Sequence, residues 1–121
     1  MKLRIEAGDA VFTVALLDTP TAKALLAAAP FEARAQTWGE EVYFSTPVRA
    51  RLEADARQVV EPGTVCFWTE GDAIALPWGR TPISTDERPK LASRCNVLGR
   101  IDNPRDLQKI RAGDTISVSR A

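Results

Sequence analysis

The opening stretch Met1-Lys2-Leu3-Arg4-Ile5-Glu6-Ala7-Gly8-Asp9-Ala10-Val11-Phe12-Thr13-Val14 decides how the rest of the chain is read. Leu3 and Ile5 alternate with Lys2, Arg4 and Glu6, the period of a strand with one face buried. Gly8-Asp9 is a turn signal, and Ala10 to Leu17 supplies a second strand centred on Val11, Phe12 and Val14. Two short strands joined by a tight turn form an antiparallel hairpin. A chain that begins this way and continues in short strand-like pieces is a mainly β domain.

Working outward, Asp18-Thr19-Pro20 predicts a helix start. A Thr or Asp side chain can cap the free amides there, and proline lacks only an N–H that has no helical partner in the first turn. Helix formers follow from Thr21 to Ala29, with Leu25 and Leu26 available to the core, and Pro30 ends the run. Phe31–Thr37, Glu40–Ser45, Val65–Trp68 and Ala73–Trp78 read as strands, with turns at Glu61-Pro62-Gly63 and Glu70-Gly71-Asp72. Leu52 to Val60 fits helix or extended chain. Asn103-Pro104 predicts a second short helix bearing Leu107 and Ile110, and Gly113-Asp114 leads into a last strand around Ile116 and Val118. Seven or eight strands with two helices form a closed or nearly closed barrel capped at its ends.

Length and composition bound the function. The 121 residues suit one domain, residues 1–121, and 45% are apolar, enough for a core without disulfides or metal. Sixteen basic and sixteen acidic groups leave no net field for nucleic acid or an anionic membrane. The charges divide unevenly, because residues 80–121 hold nine of the basic groups and five of the acidic ones. They either mix on the surface or make a cationic rim from Arg80, Arg88, Lys90, Arg94 and Arg100. No apolar run reaches the length of a membrane span or a signal peptide, and the expected location is the cytoplasm. Cys66 and Cys95 are too few for a disulfide framework. The chain has no histidine. That excludes Ser-His-Asp and Cys-His catalysis and histidine metal sites, and no phosphate loop or dinucleotide fingerprint occurs. No cofactor or metal is expected.

Four segments carry a family resemblance: Leu16-Leu17-Asp18-Thr19-Pro20-Thr21-Ala22, Trp38-Gly39-Glu40-Glu41-Val42-Tyr43-Phe44, Gly79-Arg80-Thr81-Pro82 and Asn96-Val97-Leu98-Gly99-Arg100-Ile101. In that order the chain resembles small stand-alone cyclophilin-like proteins of prokaryotes, a family of undetermined activity. The resemblance implies an antiparallel barrel of about eight strands capped by two short helices. It does not imply prolyl isomerisation, because the Phe-His-Arg signature of catalytic cyclophilins is missing. Cyclophilins bind peptides in an external groove, so the same face is the place to look here.

Candidate site residues follow from alternation and turn chemistry. Val42 and Phe44 are core-directed, which puts Glu41 and Tyr43 together on the outer face. They are either solvated or part of a groove. Trp38 and Trp78 sit beside glycines at strand ends, where a ring either packs or lines a pocket mouth; Trp68 reads as core. Arg80 lies on a short loop stiffened by Gly79 and by Pro82, which holds Thr81 extended. Its guanidinium can pair with a ligand carboxylate or with Glu41. Arg94 and Asn96 are further candidates, read as a polar loop before an apolar strand. Glu41, Tyr43, Trp78 and Arg80 are expected to converge on one concave patch. Cys95, with no histidine near in sequence, is not read as a nucleophile.

Three functions are compatible with this pattern. The first is a module binding a small acidic metabolite or a short peptide. The second is a hydrolase-like enzyme or accessory, since cyclophilin-like barrels also occur within amidohydrolases such as allophanate hydrolase. The third is a weak prolyl isomerase, in which one donor such as Arg80 lowers a barrier of roughly 20 kcal/mol. Oligomeric state is left open. Without the catalytic signature, isomerisation of a proline peptide in a coupled protease assay should be undetectable or very weak. Rates typical of cyclophilins, abolished by Arg80→Ala, would contradict this.

Overall fold

A computed structural model describes residues 1–121, and its strands confirm the reading of the opening stretch. β1 (Lys2–Ala7) and β2 (Ala10–Leu16) pair antiparallel with Leu3 opposite Val14 and Ile5 opposite Phe12. These four side chains point inward and are buried. α1 (Pro20–Ala28) follows, with the Thr19 hydroxyl accepting from the Ala22 amide at 3.2 Å and Pro20 in the first turn.

The remaining strands are β3 (Phe31–Arg34), β4 (Gln36–Thr37), β5 (Glu41–Ser45), β6 (Arg57–Val59), β7 (Thr64–Trp68), β8 (Ala73–Pro77), β9 (Lys90–Arg100) and β10 (Thr115–Arg120). Nine of them form one antiparallel path in the order β3-β10-β1-β2-β9-β7-β8-β5-β4, and β6 lies beside β9. The two ends of this path, β3 and β4, are halves of one run interrupted at Ala35. Ala35 is buried and hydrogen-bonds both ways across the break, donating to the Asp114 carbonyl and accepting from the Gly113 amide, each at 2.8 Å. The sheet therefore nearly closes on itself, as expected. The strand count exceeds eight because the 31–37 run splits here and the ambiguous 52–60 stretch yields β6.

Phe12, Phe44, Phe67, Ile74, Leu76 and Ile116 fill the interior. Ala22 and Leu25 of α1 are fully buried against this core. The second helix is one 3-10 segment, Pro104–Lys109, which inserts Leu107 into the core. Asn103 does not cap it through its side chain. Its amide instead donates to the Val11 carbonyl at 3.3 Å and to Asp106 at 3.1 Å. No helix is long and apolar enough to cross a membrane.

β9 departs most from the sequence reading. Arg94 and Asn96 do not lie in a loop; they are central residues of an eleven-residue strand. Its polar residues conceal its strand character, because Arg94 faces solvent and the partners of Asn96 come from elsewhere in the fold. Asn96 is fully buried, accepts from the Glu53 amide at 2.7 Å, and donates to the Thr21 hydroxyl at 2.9 Å and the Arg51 carbonyl at 2.8 Å. Glu53 in turn accepts from the Thr21 amide and hydroxyl at the start of α1. Asn96 thereby ties the 51–53 segment to the helix, and losing its amide would strand buried partners at about 1–3 kcal/mol each. Further along, Gly99 meets the backbone of Ala15 so closely that a Cβ would collide with its carbonyl oxygen. β2 and β9 can join the sheet there only with glycine at that position.

Candidate functional site

In most of the barrel the outer face is wet, but the β5-β8-β7-β9 section buries both of its faces. Alternation assigns the side chains. On β8, Ile74 and Leu76 face the interior while Ala75 faces out; on β7, Val65 and Phe67 face in while Cys66 and Trp68 face out. Tyr43, Ala75 and Cys66 lie in register across three strands. With Val60, Leu91 and Cys95 they make a second apolar cluster, and Trp68 packs onto it. Small residues at Ala75 and Ala92 leave a hollow of about 280 Å³, lined by Trp38, Glu41, Tyr43, Trp68, Ala75, Leu91, Ala92 and Cys95.

The carboxyl of Glu41 is the one charged group in that lining, and only 6% of the residue is exposed. Its Oε1 is buried with no hydrogen-bond partner. Burial without a compensating cation favours the neutral acid, and Glu41 is pushed from 4.5 up to about 7. The neighbouring thiols are held protonated. Burial, with the negative charges of Glu41 and Glu70 adding to it, pushes Cys95 up to about 12, and its Sγ donates to the Ser93 carbonyl at 3.4 Å. Cys66 is likewise pushed well up, by burial first and then by Cys95 and Glu41. Tyr43 donates its hydroxyl to Gln36 at 2.9 Å and the Trp68 indole donates to Ser93 at 2.9 Å, which fixes both rings.

Trp38 is held at the mouth by backbone contacts. Its amide donates to the Glu41 carbonyl at 3.0 Å, closing a turn in which Gly39 adopts φ +58°. A Cβ on Gly39 would come within 2.9 Å of both the Arg80 carbonyl oxygen and Pro82. The 79–82 loop docks directly on this turn. The Glu40 amide donates to the Arg80 carbonyl at 2.8 Å, and the Arg80 amide donates to Glu40 Oε1 at 3.0 Å. Thr81 is buried, its hydroxyl donating to the Lys90 carbonyl. The Trp-Gly-Glu and Gly-Arg-Thr-Pro segments are thus two halves of one backbone clasp.

Of the candidates named from sequence, Trp38, Glu41 and Tyr43 come together in the hollow. The others lie elsewhere. Trp78 packs against the interior core, as the alternation Ile74, Leu76, Trp78 requires. The Arg80 side chain is exposed and does not pair with Glu41; it reaches the Ser84 carbonyl at 3.4 Å and Glu87 at 3.7 Å. Thr81 holds its loop, Arg94 is exposed on β9, and Asn96 belongs to the buried network. Sequence reasoning misses Trp68, Ala75, Leu91, Ala92 and Cys95 as lining residues. Trp68 had a readable signal, because it stands two residues after Cys66 and one after core-facing Phe67.

A nearly closed antiparallel barrel with two helices is the cyclophilin-type class of fold. The Cyclophilin-like family model matches residues 1–119, and the chain belongs to that family. Among solved structures it is similar to the hypothetical protein AF2241 from Archaeoglobus fulgidus, solved in solution, with 40% identity and a TM-score of 0.86. That match covers 100% of this chain and 95% of the other. The chain is also similar in fold to McbB, solved in complex with tryptophan, at 13% identity and TM-score 0.65. There it covers 98% of this chain and 44% of McbB. No curated protein sequence matched.

The buried carboxyl sets a pH dependence of stability. Below pH 4.5 Glu41 is protonated in folded and unfolded chains alike, and no stability is lost. Between 4.5 and about 7 the unfolded chain gives up the proton that the folded chain retains, so stability falls as pH rises, and the loss is complete above about 7. The shift corresponds to about 3 kcal/mol. Glu41→Gln should therefore raise stability by up to about 3 kcal/mol at about pH 8 and leave it nearly unchanged at about pH 4. Urea denaturation of both proteins checks this; equal stability at the higher pH would contradict it.

Proposed function

We propose that this domain binds a small, ring-bearing, largely apolar molecule whose single protonated or hydrogen-donating nitrogen faces Glu41. The observation that carries this reading is the unpartnered Oε1 of Glu41 in an otherwise apolar, aromatic-walled hollow. A buried acceptor without a partner costs about 1–3 kcal/mol, and a ligand N–H supplies what the fold omits. Trp38, Tyr43 and Trp68 offer ring faces, which attract a cation by about 0.5–2 kcal/mol each depending on desolvation.

Size and charge narrow the class. About 280 Å³ suits one compact molecule better than a run of peptide. An acidic ligand is disfavoured, because it would set a second negative charge beside Glu41 where little water screens it, and no guanidinium lines the hollow to offset it. The expectation of an anion held by Arg80 therefore gives way to a neutral or cationic nitrogen compound. McbB, whose fold is similar, was solved with tryptophan, a ring-bearing amine. That ligand guides the choice of probe.

Tryptamine and indole-3-acetate share a ring and differ in the sign of the side-chain charge. Calorimetric titration should show tryptamine binding at least about tenfold more tightly, a difference of about 1.4 kcal/mol. Glu41→Gln should erase that preference while leaving the ring contacts in place. Equal affinities in the wild type, or a preference for the acetate, would refute the reading.

A further inference from the structure

We propose that Glu41 is a general base that removes a proton from carbon in a planar, electron-poor nitrogen heterocycle bound in the β5-β8-β7-β9 hollow. This rests on the binding reading above, the same hollow and the same unpartnered acceptor, with an acidic ring C–H standing where the nitrogen donor stands. The geometry supplies a base and little else. Oε1 is unpartnered, 94% of the residue is buried, and the surrounding wall is apolar and aromatic. Removing water from around a carboxylate strengthens it as a base towards a bound acid. A group pushed to about 7 is also close to half ionised at neutral pH, so acceptor and donor forms are both populated.

The rest of the lining restricts the chemistry. Cys95 is held protonated with its thiol given to the Ser93 carbonyl, so it is not a nucleophile at neutral pH. The Tyr43 hydroxyl is committed to Gln36 and the Trp68 indole to Ser93. No lysine or arginine lines the hollow to stabilise a developing anion. A single proton transfer is the step these side chains support, and the substrate must carry its own electron sink. Protons on nitrogen or oxygen exchange readily with water. The class that gains from a desolvated carboxylate is therefore a carbon acid whose ring nitrogen carries a cleavable bond to a leaving oxygen, so that the C–H pair enters a carbon–nitrogen π bond and the oxygen takes up the charge.

Ring opening of 5-nitrobenzisoxazole tests this directly. Oε1 forms an O–H bond with the proton on C3, the C–H pair becomes the second π bond of a nitrile, and the N–O bond breaks. Oxygen leaves with its electron pair as the nitrophenolate, and water then takes the proton from Glu41. The coloured phenolate reports the rate. Wild type should exceed Glu41→Gln by at least about 10²-fold, with kcat/KM rising through one ionisation near the value that burial gives Glu41. Binding is read separately with 5-nitroindazole, which has no cleavable N–O bond, through shifts in the NMR signals of Trp38, Tyr43 and Trp68. Circular dichroism confirms that the variant is folded, and Glu41→Asp provides a second variant, expected to fall between the two. Binding of the indazole without accelerated ring opening would overturn the general-base inference and leave the binding reading intact. Failure of the indazole to bind would overturn both, and equal rates in wild type and Glu41→Gln would show that Glu41 is not the base.

Discussion

In a barrel, each strand sends alternate side chains inward and outward, and along β5-β8-β7-β9 both sets must be covered. The interior set packs with the main core, as Val42, Phe44, Ile74, Leu76 and Phe67 do. The outer set forms its own cluster from Cys66, Ala75, Leu91, Cys95 and Val60. Glu41 occupies an outer position beside a hollow whose other lining residues are apolar or aromatic, and its carboxyl is buried there. The hollow, the raised affinity of Glu41 for a proton and the protonated thiols all follow from that double-sided burial.

The clasp between the 38–40 turn and the 79–82 loop explains why the site can have an aromatic wall at its mouth. Gly39 allows the left-handed turn and the close approach of Arg80 and Pro82, and Glu40 secures the loop through both its amide and its carboxylate. Adjacent glutamates thus divide their tasks. Glu40 satisfies backbone groups, whereas Glu41 is left unsatisfied at a cost to stability. A fold that needed only stability would place an apolar residue at Glu41, and folds commonly accept such a cost where a side chain has work to do.

Much of this was legible in the sequence. The hairpin of Leu3, Ile5, Phe12 and Val14, the Thr19-Pro20 cap and the outward pairing of Glu41 with Tyr43 all follow from local periodicity and turn chemistry. The same periodicity, applied to Ile74-Ala75-Leu76-Pro77-Trp78, would have directed Trp78 inward, and applied to Val65-Cys66-Phe67-Trp68 it would have directed Trp68 outward. Arg80 was misleading for a different reason: the Gly-Arg-Thr-Pro loop works through its backbone, and the guanidinium points to Ser84 and Glu87. The burial of Glu41 was not legible. The hollow that encloses it includes Leu91 and Cys95 of β9, a strand hidden by exposed Arg94 and by Asn96, whose amide finds its partners far away in the chain.

The account turns on one carboxyl, and its proton can be followed directly. Carbon-detected NMR titration of the Glu41 side chain, in the free protein and with tryptamine at saturation, measures it without reference to activity. A midpoint near 7 in the free protein, displaced downward when a cationic nitrogen occupies the hollow, is the result this structure predicts. A midpoint near the ordinary 4.5, unmoved by tryptamine, would mean that Glu41 is solvated and that the hollow is not a site.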